Sequence, residues 1–248
     1  MTDALKLDHL KLNFGGLAVT DDVSFTLPVG ARTALIGPNG AGKTTLINLM
    51  SGLLAPDHGD IYLMGEKITH QSAVARVHLG LVRSFQVTRL FTDMTVEEHL
   101  LFSVRAQQRK MRGVWRDMGS DDEMLGRAYH FIDQLGLKRL ATRTVSEIAY
   151  GEQRLVEIAI AIAMQPKVLL LDEPAAGVPG ASMDLVMKAL DELPADLAVL
   201  MIDHDMDLVR RFARDIVVLA SGKVIATGTP EEIGRNELVR SAYLGVEE

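Results

Sequence analysis

The chain has 248 residues, of which 48% are hydrophobic and 24% are charged, and this balance is ordinary for a globular protein. Its formal net charge of −7 argues against a dedicated DNA or RNA binder, and the absence of cysteine excludes disulfides and thiolate metal sites. No apolar run reaches the roughly 18 residues that would span a bilayer, and the N-terminal sequence lacks the apolar core of a secretory signal.

The first part of the chain alternates strands with helices. LKLDHLKLNF and VSFTLPVGARTALIG are typical of strands, a helix is expected from Thr44 to about Leu53, and IYLMG follows as another strand. Thr95 and Glu98 form a capping box, which predicts a helix that runs to about Gln108. Residues 105–145 are polar and helical in pattern.

The second part begins with SEIAYGEQRLVEIAIAIAMQP, residues 146–166, where apolar residues recur at a helical period after Gly151. VLLL (168–171) and LAVLMI (197–202) are fully apolar, as buried parallel strands are, and a helix is expected between them over 182–193. IVVLASGKVIATG predicts a hairpin, and Thr229 to Glu232 form a second capping box. The alternation indicates a mostly parallel α/β sheet with a helical insertion near 88–160.

Residues 37–44, GPNGAGKT, match G-x-x-x-x-G-K-[ST] between a predicted strand and a predicted helix. Glycines allow a tight loop whose backbone N–H groups cradle phosphate oxygens. Lys43 would charge-pair with the β- and γ-phosphates, the Thr44 hydroxyl would ligate Mg²⁺, and Thr45 would donate to the α-phosphate. The predicted nucleotide loop comprises Gly37, Pro38, Asn39, Gly40, Ala41, Gly42, Lys43, Thr44 and Thr45.

Two acids end the strand in VLLLDEP, and a histidine follows the next apolar strand in LMIDHDMD. Asp172 is placed to hold the Mg²⁺ shell, and Glu173 to take a proton from an attacking water. An acidic pair can also cap the next helix. Here, however, the acid pair and the phosphate-loop motif both indicate Mg-nucleotide chemistry. A lone histidine is more often structural than catalytic, yet His204 should neighbour the acid pair, which favours contact with a γ-phosphate.

Two further residues allow two interpretations each. The Gln86 amide could reach a metal-bound water, or it could be an ordinary loop residue. Phe14, beside two glycines, could stack on a base or belong to the core. Gly151, at the entrance of the 146–166 helix, also allows two interpretations. It could belong to an ordinary junction between a loop and a helix, or it could form a second phosphate site, since a helix N-terminus can bind phosphate. The loop at 37–44 already serves the chain's own nucleotide, so a second site would need another phosphate.

Together these residues resemble the ATP-binding subunit of ABC transporters, over essentially the whole chain and in the family's order of motifs. GPNGAGKTT is similar to the Walker A loop, VLLLDEP to Walker B with catalytic Glu173, and His204 to the switch histidine. Gln86 resembles the Q-loop glutamine, a metal-site and catalytic residue, and Phe14 the aromatic that stacks on adenine.

The resemblance implies an α/β P-loop NTPase fold with a mostly parallel sheet, a small N-terminal antiparallel β subdomain and an α-helical subdomain. Residues 1–248 would form one ABC ATPase domain, with the nucleotide-binding core at about 1–87 and 161–248 and the helical subdomain at about 88–160. ATP and Mg²⁺ are the implied cofactors.

IAYGEQR occupies the place of the family's LSGGQ signature, which closes on the ATP of a second subunit in a head-to-tail dimer. The residues implied in that contact are Ala149, Tyr150, Gly151 and Glu152. Ala149 replaces the usual serine, so one hydroxyl contact to phosphate is missing. Pro179 stands where the D-loop usually has aspartate or asparagine.

RSFQVTRLFTDMT, IAYGEQR, DEPAAG and the tail GTPEEI resemble the branched-chain amino acid importers, specifically the longer of their two ATPase types. The implied protein is a motor subunit at the cytoplasmic face of the inner or plasma membrane. Its partners would be a second ABC ATPase subunit, transmembrane permease subunits and, indirectly, a periplasmic or extracellular solute-binding protein, with no nucleic acid.

Two other function classes compete with an importer. A soluble ABC-type ATPase that remodels DNA or ribosomes usually carries a long coiled-coil insertion or two fused ATPase units, and this acidic chain has neither. A P-loop metabolite kinase needs an acceptor pocket and usually a lid, whereas a Glu173–His204 pair suits water better than an alcohol acceptor. The sequence leaves the solute open.

Overall fold

The computed structural model describes residues 3–84, 90–108 and 122–244. They fall into two compact units. The first comprises Met1–Arg83, Lys167–Glu173 and Pro194–Glu248, and the second comprises Ser84–Pro166 and Pro174–Leu193.

Strands dominate the first unit. Its elements before the insertion are β1 (Asp3–Phe14), β2 (Leu17–Pro28), β3 (Arg32–Ile36), α1 (Lys43–Ser51), β4 (His58–Leu63), β5 (Glu66–Lys67), α2 (Ala73–Leu79) and β6 (Leu81–Arg83). The second unit contains α3 (Val96–Gln107), α4 (Asp122–Gln134), α5 (Tyr150–Ala163) and α6 (Gly180–Asp191). The first unit also contains β7 (Val168–Asp172), β8 (Ala198–Ile202), α7 (Met206–Phe212), β9 (Asp215–Ala220), β10 (Lys223–Gly228), α8 (Pro230–Arg235) and α9 (Glu237–Leu244).

The first unit contains one antiparallel and one mostly parallel sheet. The antiparallel sheet has the order β2-β1-β4-β5, and the other has the order β10-β9-β3-β8-β7-β6. Only β10 runs antiparallel to its neighbour in the second sheet. This architecture confirms the predicted fold class.

Burial explains the composition of the central strands. Every residue of β7 and β8 is buried, as their uninterrupted apolar sequences predicted. A single hydrophobic cluster joins Leu5 of β1, Leu46 of α1 and Leu200 of β8. In the parallel register, Ile202 lies opposite both Leu35 of β3 and Asp172 of β7, so the carboxyl ends of these three strands meet at one edge. That edge positions the candidate site.

The second unit is helical. The capping box predicted at Thr95 is present, since its hydroxyl accepts from Glu98 N–H and the Glu98 carboxylate accepts from Thr95 N–H. The Tyr129 hydroxyl of α4 donates to Glu97 of α3 at 2.6 Å. The unit also contains 174–193, which the sequence analysis assigned to the nucleotide-binding core. Gly151 has no side chain, so α6 can pack closely against α5 at this position. The periodicity of one helix does not predict which other helix packs against it.

The predicted element boundaries are close to the observed ones. The helix expected from Thr44 to Leu53 ends earlier because Gly52 adopts a left-handed conformation with φ 78°. Ser146 and Glu147 lie in a short 3₁₀ turn, and α5 starts at Tyr150. Within the described ranges, none of the helices has the length and apolar character needed to cross a membrane.

Candidate functional site

The loop between β3 and α1 needs glycine at two positions for steric reasons. Gly37 has φ 157°, and a Cβ there would lie 2.0 Å from the Leu219 carbonyl oxygen. Gly42 has φ 100°, and a Cβ there would lie 2.6 Å from the Val19 carbonyl oxygen. Any side chain at either position would force the loop away from β9 or β2, so the glycine pattern maintains the path of this loop.

Lys43 begins α1 at the end of this loop. Its ammonium donates to the carbonyl oxygens of Gly37 at 2.6 Å and Pro38 at 3.0 Å. Burial lowers the pKa of Lys43 from its ordinary value, and the nearby Glu173 carboxylate opposes that shift. The lysine therefore lies over the loop that the sequence predicted to hold phosphates, at the positively polarised N-terminus of a helix.

The remaining loop residues differ in exposure. Asn39, Gly40 and Thr44 are exposed, and Thr45 is half-buried. The leading amides of α1 have no partners within the helix because the first turn lacks preceding carbonyls. The loop is thus accessible, and the first turn of α1 offers unpaired amide donors beside it.

Asp172 ends β7 and is buried beside an arginine that the sequence analysis did not single out. Its Oδ2 accepts from a guanidinium nitrogen of Arg83 at 2.7 Å. A second guanidinium nitrogen of Arg83 donates to Asn48 Oδ1 of α1, also at 2.7 Å. Arg83 ends β6, so three elements are tied together at the acidic residue.

Glu173 follows Asp172 in an unusual backbone conformation. Its φ is 49°, which costs an L-residue roughly 1–2 kcal/mol. Its N–H donates to the Ile202 carbonyl oxygen at 2.8 Å, which fixes the Glu173 backbone at the end of β8. Strained non-glycine residues of this kind cluster at functional sites.

His204 lies beside Glu173, as the sequence predicted from the order of the strands. The imidazole Nδ1 is 3.6 Å from Glu173 Oε1, and the histidine side chain is exposed. A carboxylate and an imidazole at the exposed edge of the sheet can bind and deprotonate a water beside a phosphate. The first unit therefore brings together Lys43, Asp172, Glu173 and His204.

The acidic end of β7 offers ligands of the type that Mg²⁺ takes. The part of the chain that the structure describes contains no group of three or more His, Cys, Asp or Glu residues that could hold a metal. Mg²⁺ commonly takes one or two carboxylates together with substrate phosphates and water. Asp172 and the Thr44 hydroxyl are ligands of that type.

Two further predicted site residues are Phe14 and Gln86. Phe14, at the end of β1, is 52% exposed, so it is not part of the core and its ring is accessible for stacking. Gln86 lies outside the described residues.

The signature residues start α5 in the second unit. Ala149 is the N-cap and has no hydroxyl, and its N–H donates to Glu152 Oε2 at 3.0 Å. Glu152 also pairs with Arg139. The Tyr150 hydroxyl donates to the Ala176 carbonyl oxygen at 3.3 Å. The carboxylate of Glu152 thus satisfies the N-cap amide, which is the half of a capping box that does not need a serine hydroxyl.

Packing within this chain explains why residue 151 is glycine. A Cβ on Gly151 would lie 2.6 Å from Ser182 Cβ and 3.0 Å from Ser182 Oγ. The close neighbour of this backbone is therefore α6, a contact that the sequence analysis did not consider.

A phosphate loop before α1, an acid pair ending β7 and a histidine after β8, all on one sheet edge, define a P-loop ATPase. Residues 20–176 match the family described as ABC transporter, and residues 223–248 match the family described as branched-chain amino acid ATP-binding cassette transporter. The chain therefore belongs to the ABC transporter ATP-binding family.

Curated relatives and solved structures agree with this assignment. The chain is 39% identical over 254 residues to the high-affinity branched-chain amino acid transport ATP-binding protein LivG of Salmonella typhimurium, covering 97% of each chain. It is 37% identical over 251 residues to BraF of Pseudomonas aeruginosa, again covering 97% of each. It resembles the ADP conformation of an ATP-binding cassette of an ABC transporter, with TM-score 0.87, 29% identity and coverage of 99% and 100%.

Proposed function

We propose that this chain is the ATP-hydrolysing motor subunit of an ABC importer for branched-chain amino acids or closely related small solutes. The observation that carries the proposal is the cluster of Lys43, Asp172, Glu173 and His204 on one sheet edge of the first unit. The full-length similarity to two branched-chain amino acid transport ATP-binding proteins supports the solute class.

The residues divide the chemistry between them. The loop 37–45 binds the triphosphate through its amides, and Lys43 adds a positive charge near the β- and γ-phosphates. Glu173 accepts a proton from the attacking water, while His204 donates a hydrogen bond toward the γ-phosphate. Phe14 would stack on the adenine, and the Gln86 amide would help to hold Mg²⁺.

Mg²⁺ bound to ATP would neutralise charge on the transferred phosphoryl group. Asp172 and Thr44 are the residues of the described chain that would hold it, together with Gln86. Arg83 keeps one oxygen of Asp172 engaged, which fixes the orientation of the other oxygen.

The working assembly contains two ATPase subunits in a head-to-tail arrangement, each presenting Ala149, Tyr150, Gly151 and Glu152 to the nucleotide of the other. Permease subunits anchor the pair at the cytoplasmic face of the membrane, and a solute-binding protein outside delivers the amino acid. Phosphate-dependent closing and opening of the pair is the two-state element that moves the permease.

The test combines hydrolysis with transport. The chain is purified with candidate permease subunits from the same genome, reconstituted in vesicles with a candidate solute-binding protein, and supplied with Mg-ATP. We expect phosphate release and leucine uptake together, and we expect Glu173→Gln to lower both by about 100-fold or more. A wild-type protein that releases no more phosphate than Glu173→Gln contradicts the proposal.

Two outcomes would redirect it. Hydrolysis by a chain that binds no permease would favour the soluble ABC-type ATPase, and salt-dependent binding to nucleic acid would strengthen that alternative. Phosphate transfer to a metabolite hydroxyl, rather than to water, would favour a kinase.

A further inference from the structure

Glu152 stands at the last position of the signature segment, where the LSGGQ pattern has an uncharged glutamine. The proposed assembly presents this segment to the nucleotide of a second subunit. An unpaired carboxylate there would repel the triphosphate, because like charges facing each other across an interface destabilise it. In this chain the carboxylate is paired, since its Oε1 accepts from a guanidinium nitrogen of Arg139.

Both oxygens of the Glu152 carboxylate have partners. Oε1 accepts from Arg139, and Oε2 accepts from the Ala149 N–H at 3.0 Å. The side chain of Glu152 is 15% exposed, whereas that of Arg139 is 70% exposed. A glutamine at this position would lack the second acceptor oxygen that Arg139 uses. The acid at position 152 and the arginine at position 139 therefore complement each other.

Arg139 forms this pair from a fixed backbone position. It lies in the 3₁₀ turn Lys138–Leu140, which follows α4. Leu137 and Leu140 on either side of it are buried, and the Leu137 N–H donates to the Ile132 carbonyl oxygen at 2.8 Å. The turn is thus packed into the helical unit, while the guanidinium stays largely exposed.

Gln153, the next residue of α5, stabilises the chain that leads into the signature segment. Its Nε2 donates to the carbonyl oxygens of Val145 at 3.1 Å and Ile148 at 3.2 Å. These contacts fix the backbone but bring no charge to Glu152. Arg139 adds the positive charge, and a hydrogen bond between two charged groups is stronger than one between neutral groups.

We propose that Arg139 is a positioning residue for the signature segment: it holds the Glu152 carboxylate at the N-terminus of α5 and neutralises its charge, so that the segment closes on the nucleotide of a second subunit. The inference rests on the proposed function for this role in the dimer, whereas the ion pair is a property of the single chain. A head-to-tail dimer contains two such contacts, so the effect enters twice.

ATP-driven dimerisation tests the role in the assembly. It is measured by analytical ultracentrifugation with Mg-ATP in a Glu173→Gln parent, which should retain ATP because the proposed base is removed. We expect Arg139→Gln to weaken the dimer about 10-fold or more, since the Glu152 charge then faces the nucleotide unpaired. This loss relative to the parent should shrink when sodium chloride is raised from about 0.05 M to about 0.5 M, because salt screens the repulsion.

Lys138→Gln is the matched control. Lys138 lies in the same turn and carries the same charge, but it pairs with Asp133 at 2.7 Å, so its removal should leave the dimer at the affinity of the parent. Adding Glu152→Gln to Arg139→Gln should restore most of the lost affinity, because no unpaired charge remains. An arginine with a purely structural role would not be rescued in this way, since the double variant also lacks the ion pair.

Urea unfolding of the single chain without nucleotide tests the ion pair by itself. The losses from Arg139→Gln and Glu152→Gln should not add in a double-mutant cycle, because either change alone breaks the pair. The losses from Lys138→Gln and Glu152→Gln should add. Additive losses for Arg139→Gln and Glu152→Gln would show that the two residues do not interact, which overturns the proposal.

An Arg139→Gln protein that dimerises like its parent also overturns the proposal, as does a double variant that remains as weak as Arg139→Gln. A parent that forms no ATP-dependent dimer, alone or with candidate second ATPase subunits from the same genome, contradicts the proposed assembly and removes the role of Arg139 in it. The unfolding cycle would then still decide whether Arg139 holds Glu152.

Discussion

Arg83 places a guanidinium nitrogen 2.7 Å from Oδ2 of Asp172, with the two side chains 11% and 7% exposed. The other side of the same guanidinium holds Asn48 on α1. Arg83 thereby joins the helix after the phosphate loop to the strand that carries the metal-site carboxylate. The segment that contains Gln86 begins two residues later.

Arg83→Met should destabilise the protein and slow hydrolysis. Removing one partner of a buried ion pair leaves the other charge unpaired, which costs about 3–5 kcal/mol. Urea unfolding followed by circular dichroism measures this loss. The control is Lys6→Met. Lys6 forms a largely exposed ion pair with Asp8 at 3.4 Å, and the loss of this pair should cost under about 1 kcal/mol. Equal losses for the two variants would show that the Arg83 pair is not a structural connection.

Arg76 stabilises the other end of α1. It is 1% exposed, and its guanidinium donates to the carbonyl oxygens of Leu49 at 2.6 Å, Met50 at 2.7 Å and Thr69 at 2.7 Å. Burial lowers its pKa from the ordinary value. A cation at the C-terminus of a helix satisfies its last carbonyls and complements its dipole.

Arg76→Met should therefore lower the free energy of unfolding by about 3 kcal/mol or more, since each buried acceptor that loses its donor costs about 1–3 kcal/mol. Arg76→Lys should recover only part of it, because one ammonium cannot reach all of these carbonyls in the geometry of the planar guanidinium. Arg235→Met, on the exposed side of α8, is the control and should change little. A recovery to wild-type stability by lysine would contradict the multi-carbonyl role.

His99 makes the stability of the helical unit depend on pH. It is 5% exposed, its Nδ1–H donates to Thr95 O at 2.8 Å, and its Nε2 accepts from Phe91 N–H at 3.0 Å. Burial lowers the pKa of His99, although the Thr95 carbonyl and the Glu98 charge act in the opposite direction. Protonation at Nε2 would remove the acceptor for Phe91.

Because the folded-state pKa is below the unfolded value, the unfolded chain binds this proton first as pH falls. The stabilisation is complete above about pH 6.5 and decreases below it, by up to about 1.4 kcal/mol per pH unit, until the folded pKa is reached. Hydrogen exchange of the α3 amides between pH 8 and pH 5 measures the opening free energy after correction for intrinsic rates. His99→Gln should reduce this slope, and an unchanged slope would assign it to other groups.

The sequence predicted those parts of the fold and site that depend on local pattern. Uninterrupted apolar runs predicted the buried strands β7 and β8, and the helix expected from Thr44 begins one residue earlier, at Lys43. His204 beside Glu173 followed from strand order, since parallel neighbours end at the same edge of a sheet.

Contacts between residues far apart in the sequence were not predicted, because no local rule connects their positions. Arg83 is separated from Asp172 by 89 positions, and Arg76 is separated from Leu49 by 27. The positive φ of Glu173 also has no local signal, since the residue itself does not favour it.

Gly151 gives a prediction whose sign depends on packing. An alanine inside a helix is normally favoured over glycine by about 0.5–1 kcal/mol. Here its Cβ would lie 2.6 Å from Ser182 Cβ in α6, so Gly151→Ala should instead destabilise by about 1–3 kcal/mol through overpacking. Ser182→Gly removes the opposing atoms and should restore most of that loss in the double variant, which a double-mutant cycle by urea unfolding measures. If Gly151→Ala is neutral or stabilising, α5 and α6 do not approach this closely. A substitution at Gly151 could disturb packing within the chain or a contact with the nucleotide of the partner subunit. The pair Gly151→Ala and Gly151→Ala/Ser182→Gly separates the two effects: rescued stability with ATP-driven dimerisation still lost would assign Gly151 to the partner's nucleotide as well.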